Sequence, residues 1–123
     1  MKNQAYRMAM LFDFYGDLLT ERQREFYDLY YNEDLSLAEI AENYGISRQG
    51  VRDVIVRAEA AMTEIEDKTH IIRRFQQTQE AVAAIDAAAD KLLRAVNERS
   101  YSDAMLDELA HGIKDNVAKL NQE

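Results

Sequence analysis

The chain has 123 residues, a formal charge of −8 at neutral pH, no cysteine, no proline and four glycines. The lack of cysteine excludes disulfides and thiolate sites, and no apolar run approaches the ~20 residues of a membrane span. So large an excess of acid also argues against binding nucleic acid through bulk charge, because that affinity comes from cations displacing counterions along the phosphates.

A hydrophobic content of 47% is enough for one ordinary domain, or for a small domain with a helical extension. Alanine, leucine, glutamate and glutamine abound and strand-type alternation is missing, which predicts an all-α fold. The N-terminal stretch Met1-Lys2-Asn3-Gln4-Ala5-Tyr6-Arg7 lacks the apolar centre of a signal peptide, so a cytoplasmic location is expected.

From Asn3 to Tyr15, the residues Met8, Leu11, Phe12 and Tyr15 fall at i, i+3, i+4, i+7. That spacing predicts an amphipathic helix, ended by Gly16. Thr20-Glu21-Arg22-Gln23 reads as a capping box, opening a helix with Phe26, Leu29 and Tyr30 that stops near Asn32. Ser36 with Glu39 is a second box. It opens a run, Leu37 to Ile55, that reads as a helix, a tight glycine turn and a second helix. Ile40, Ala41 and Tyr44 share one face of the first helix. Gly45 takes the turn, where φ > 0 is open to glycine without strain, and Ile46 points back into the angle. The small Ala41 allows close crossing. Ser47 caps the second helix, whose buried face is Val51, Val54 and Ile55. This is the helix-turn-helix pattern, with the second helix as the one that enters the major groove.

That second helix runs from Arg48 to about Glu66, and with no low-complexity linker the two halves are expected to be joined through helix. Thr69 is the expected start of the second half. From Phe75, Val82, Ile85, Ala89, Leu92 and Val96 form a short heptad stripe on a helix of about seven turns. Asn97 to Tyr101 breaks the pattern. Ser102 caps a last helix bearing Leu106, Leu109, Ile113, Val117 and Leu120. The predicted organisation is a helix-turn-helix domain over 1–67 and a C-terminal helical hairpin over 68–123. The hairpin needs a partner surface. Pairing with a second copy, as a homodimer, is the expected solution; folding back on the first half is the alternative.

At the start of the second motif helix the solvent-facing positions are Ser47, Arg48, Gln49, Arg52 and Asp53. Arginine can take guanine bidentately and glutamine can do so for adenine. Ser47 can donate to a phosphate at the positive helix end. Arg57, Arg22 and Arg24 could add phosphate contacts, though for these three a solvated helix face is the stronger reading. The candidate nucleic-acid-binding set is therefore Ser47, Arg48, Gln49, Arg52 and Arg57.

An enzyme finds little support. His70 and His111 are isolated, and no His–Glu helical spacing suggests a metal pair. Glu64, Glu66 and Asp67 read as a solvated helix face. The aromatic set Phe12, Tyr15, Phe26, Tyr30 and Tyr44 reads as core rather than as a base-stacking platform. No glycine-rich phosphate loop is present, so no catalytic, metal or cofactor site is expected.

The segment Leu35-Ser36-Leu37-Ala38-Glu39-Ile40-Ala41, followed by Gly45-Ile46-Ser47-Arg48, resembles the promoter-reading region 4 of sigma factors. More specifically, Leu11-Phe12-Asp13-Phe14-Tyr15, Leu18-Leu19-Thr20, Gln23, Leu29-Tyr30-Tyr31, Asp34 and Ser47-Arg48-Gln49 resemble the YlxM-like family over about residues 8–75. The resemblance implies a small cytoplasmic bacterial protein with a sigma-region-4-like fold. It also implies a tie to the signal recognition particle pathway, through neighbouring genes. Two positions depart from the family pattern: Gly50 replaces an expected alanine and Val56 an expected lysine. The second half resembles no named family. The expected function is a DNA-binding regulatory protein connected with that pathway. The alternative is an adaptor of the pathway that meets a protein, or the particle's RNA, without reading DNA.

Overall fold

The computed structural model describes residues 5–122 and is built from helices, with no strand among the described residues. They are α1 (Ala5–Tyr15), α2 (Glu21–Tyr31), α3 (Leu37–Tyr44), α4 (Arg48–Thr69), α5 (Ile71–Glu98) and α6 (Asp103–Leu120). A short 3-10 turn, Gly16–Leu18, follows α1. The expected first turn from Asn3 lies outside the described residues. By contacts the chain divides into one compact unit up to Ile72 and another from Arg73.

Side-chain caps set the starts of α2, α3 and α4. Thr20 Oγ1 accepts from the Gln23 amide at 3.2 Å, and the Thr20 amide donates to Gln23 Oε1 at 3.0 Å. Ser36 and Glu39 repeat the arrangement at 3.0 and 3.2 Å. Each pair satisfies two of the amides that a helix start leaves unpaired. At α4, Ser47 Oγ accepts from the Gly50 amide at 3.0 Å. Between α3 and α4, Gly45 has φ 66° and ψ 32°, and its amide closes α3 on the Ala41 carbonyl.

The core of the first unit is aromatic and continuous. Met8, Leu11 and Tyr15 of α1 meet Phe26, Tyr27 and Tyr30 of α2. Ile40 and Ala41 of α3 and Val51, Ile55, Ala58 and Met62 of α4 complete it, with Ile72 at the edge. Ile46 packs against this core from inside the turn, as its position in the motif requires. Ala41 is buried where α3 meets α4, and its small side chain lets the two backbones approach.

The aromatic set is core, but the tyrosines have polar ends with specific partners. Tyr15 donates to Glu66, Tyr31 to Glu59 and Tyr44 to Glu25. These bonds tie α1 to α4, α2 to α4 and α3 to α2. Tyr44 also meets the Phe26 ring edge-on, with centroids 4.8 Å apart. Tyr27, fully buried, donates to the Met8 carbonyl at 2.6 Å.

Burial, together with the nearby Glu59 charge, pushes the Tyr27 phenol above its ordinary value of 10.0. Burial and the bond to Glu59 do the same for Tyr31. Above pH ~10 the unfolded chain releases these protons and the folded chain keeps them. The unfolded state then binds fewer protons, so stability falls as pH rises. It is expected to be level from about pH 7 to 9 and then to drop by up to ~1.4 kcal/mol per pH unit for each phenol held neutral. Tyr27→Phe should cost ~1 kcal/mol at pH 7, from the lost bond to the Met8 carbonyl, and make the alkaline slope shallower. Urea midpoints measured across that range check both effects, and an unchanged slope would remove Tyr27 as a contributor.

Contrary to expectation, α4 and α5 are not one helix. His70 adopts the left-handed conformation, φ 54°, and its amide closes α4 on the Glu66 carbonyl. Glu66 Oε1 then accepts from the Ile72 amide at 2.9 Å, and Thr69 Oγ1 turns back to the Ile65 carbonyl at 2.8 Å. The left-handed residue costs ~1–2 kcal/mol, which these bonds offset. Glu66 is thus an anchor between helices and no part of a solvated face, whereas Glu64 and Asp67 are exposed.

In the second unit, Arg99, at φ 52°, begins the turn out of α5, and Ser102 Oγ caps α6 through the Met105 amide at 3.2 Å. The expected stripe on α5 divides. Ile85, Ala89 and Leu92 are half-buried, while Val82 and Val96 are exposed. The residues fully covered are the small Ala81 and Ala95. On α6, Leu106, Leu109 and Ile113 are half-buried, and Val117 and Leu120 are exposed.

Candidate nucleic-acid interface

The first turns of α4 project from the core on a firm base. Val51, Ile55, Ala58 and Met62 bury one face of the helix, which leaves the opposite arc to solvent. Ser47, Arg48, Gln49, Arg52 and Arg57 are all exposed. Arg48 and Arg52 stand one turn apart, about 40° from each other around the axis, and make a single stripe. Gln49 lies about 60° beyond Arg52, and Arg57 about 140° beyond it. The structure therefore brings Arg48, Gln49 and Arg52 together and sets Arg57 apart from them, further along the helix and across the exposed arc.

Ser47 is engaged as the cap, so its hydroxyl oxygen already accepts one amide while its proton can still be donated. Gln49 Nε2 donates to Asp53 Oδ1 at 2.8 Å. This i, i+4 bond turns the Gln49 amide along the helix and must open before Gln49 can meet a base. The spacing was a visible signal for it. No ion pair among the described residues engages Arg48, Arg52 or Arg57. Glu59, the acid closest in sequence to Arg57, serves Tyr31 instead. Arg22 and Arg24 are occupied elsewhere: Arg22 stacks 5.3 Å from the Phe26 ring centre and Arg24 lies 3.5 Å from Asp17.

The local field differs from the overall charge. The first turns of α2, α3 and α6 carry Glu21, Glu39 and Asp103, but that of α4 carries no acid. Its third position is Gly50, where a capping box would place glutamate or glutamine. The amide end of α4 thus keeps its partial positive charge beside Arg48 and Arg52. Glu59, Glu64, Glu66 and Asp67 follow on the same helix. The first of them is 11 residues past Arg48, ~17 Å along the axis and beyond a Debye length of ~8 Å at physiological salt. Asp53 is the one acid of α4 within the stripe's reach. Val56, where the resemblance leads one to expect lysine, is half-buried and lines a groove with Arg7, Met8, Glu59, Ala60 and Thr63.

Two helices crossing at a left-handed glycine, the second with an exposed, basic and acid-free first turn, define a helix-turn-helix protein. The chain belongs to the UPF0122 family, described as "Putative helix-turn-helix protein, YlxM / p13 like", which matches residues 2–100. It is similar to UPF0122 proteins of Bacillus thuringiensis (strain Al Hakam), Bacillus cereus (strain 03BB102) and Bacillus mycoides (strain KBAB4). Each is 40% identical over 114 residues, covering 93% of this chain and 97% of the relative. The family match runs to the end of α5 and beyond, further than the resemblance over residues 8–75. No described helix is long and apolar enough to cross a membrane.

Proposed function

We propose that this protein docks on DNA through the first turns of α4 and acts there as a regulator. In this reading Arg48 and Arg52 meet base edges in the major groove, and Gln49 joins them after leaving Asp53. Ser47 and the helix end hold one phosphate, and Arg57 reaches the backbone on the far side. The observation that carries the reading is the Arg48–Arg52 stripe, without an ion pair among the described residues, beside an acid-free helix start. The family's helix-turn-helix description supports it. A place in the signal recognition particle pathway belongs to the same reading and rests on the family resemblance. Pairing of two copies, expected from the apolar stripes of the C-terminal hairpin and not from the resemblance, would suit half-sites about one DNA turn, ~34–36 Å, apart. Selection of sites from a random DNA pool at low salt is expected to enrich a short sequence. No enrichment would end the base-reading proposal.

The net charge of −8 favours a second reading, in which the same helix meets a protein or the particle's RNA. Recovery of partners from native cytoplasm with and without nuclease separates the two: DNase-sensitive recovery favours the first, nuclease-resistant or RNase-sensitive recovery the second.

Asp53→Asn tests the local field. It removes the acid nearest the stripe and weakens the hold on Gln49. DNA affinity is expected to rise several-fold, about 1 kcal/mol or less, with most of the gain lost at high salt. Titrations at two salt concentrations measure it, and equal or weaker binding would show that the stripe does not face DNA.

A further inference from the structure

We infer that one face of the α5–α6 hairpin seats the same face of a second copy of this chain, closing a four-helix bundle. The inference is independent of what α4 binds. The hairpin lacks a core of its own: past Ile72, which belongs to the first unit's core, Ala81 and Ala95 are the only fully buried side chains on α5, and none is on α6. Gln77, Glu80 and Ala84 share a groove with Lys119 and Gln122, so the start of α5 lies beside the end of α6 and the helices run antiparallel. That groove defines the polar face. Val82 and Val96 on α5 lie roughly 90° and 60° around the helix from the line of contact, and on α6 Val117 lies about 85° from it and Leu120, at the helix end, about 20°. Both sets are displaced to the side opposite the groove, because antiparallel helices turn in opposite senses when viewed from one end. The result is a single apolar face spanning two helices.

Its size and charges point to a copy of itself. Val82, Leu93, Val96, Val117 and Leu120 together expose roughly 400 Å², at the scale of the largest patches on stable monomers. With its half-buried neighbours and charged border, the face approaches the ~600 Å² per partner of the smallest specific interfaces. A two-fold axis parallel to the helices lays α5 of one chain over α6 of the other. The outer border of α5, which carries Asp86, Asp90 and Arg94, then meets the outer border of α6, which carries Lys114 and Asp107. At 1.5 Å per residue, Lys114 of the second copy stands level with a point about 3 Å from both Asp86 and Asp90. Asp107 of the second copy stands within ~2 Å of the height of Arg94. The borders are complementary along their length, and within one chain they lie on opposite outer edges.

Sedimentation of the full chain without DNA is the test. The wild type is expected to be a dimer at micromolar concentration. Val82→Glu with Val96→Glu should make it a monomer, with helicity by circular dichroism showing that it still folds. Lys114→Asp should weaken the dimer about tenfold, as should Asp86→Lys with Asp90→Lys. The three changes combined should restore part of the loss, which only a contact between copies explains. A monomeric wild type overturns the inference, whether or not the face binds vesicles or another protein. So does a dimer indifferent to the glutamates, or charge swaps without mutual rescue. Because no DNA is present, each of these results leaves the reading of α4 untouched.

Discussion

Replacing both Arg48 and Arg52 by alanine is expected to lower affinity for a selected DNA site by at least ~2 kcal/mol, about 30-fold. Each arginine that reads a base contributes ~1–3 kcal/mol, and neighbours one turn apart need not add. Both side chains are exposed and make no ion pair among the described residues, so the fold should change by less than ~0.5 kcal/mol. Arg57→Ala is the contrast. A phosphate contact there would weaken all sequences alike and reduce the slope of log affinity against log salt by about 0.9. Fluorescence anisotropy on specific and scrambled duplexes at several salt concentrations distinguishes the two behaviours. If the double variant keeps full affinity, α4 is not the docking element.

Gly45→Val is expected to destabilise the first unit by ~1–3 kcal/mol. A Cβ at Gly45 would meet nothing within 4 Å, so the whole cost comes from holding a β-branched residue at φ 66°. Gly45→Asn, which tolerates that region, should cost much less. Valine at Gly50 is subject to opposing effects. Leaving glycine inside a helix gains part of ~1 kcal/mol, but the new Cβ would stand 3.2 Å from Ser47 Oγ and crowd the cap. The net change should be small. Urea unfolding of all three variants gives the comparison. Equal losses at Gly45 and Gly50 would contradict the conformational origin of the Gly45 cost.

Much of this molecule was legible along the chain because its signals are local. Thr20 with Gln23, Ser36 with Glu39, Ser47 and Ser102 announce helix starts, and the side chain that caps lies three residues from the amide it serves. Gly45 announces the turn by the same logic. The exposed arc of α4 follows from its periodicity alone. The interface residues could be named, yet not their state, because an arginine's freedom depends on acids brought near by folding. Glu59 illustrates this. Two positions from Arg57 on one helix, it faces the other way, and the group it meets is Tyr31, a residue 28 positions away.

The break between α4 and α5 shows the division most plainly. Glu66, Thr69 and His70 carry no glycine or proline, and helix propensity by itself would continue the helix through them. Tyr15 arrives from 51 residues upstream to hold the Glu66 carboxylate, which then accepts the Ile72 amide. The sequence by itself determined the helices, their caps, the glycine turn and the basic stripe, because these depend on interactions within about four residues. Tertiary structure alone decided which acids were consumed by tyrosines, how the chain passes from α4 into α5 and which part of the α5 stripe remained exposed. Those outcomes depend on the competition between distant groups for one hydrogen bond or one buried surface, and chain position does not record who is near enough to compete.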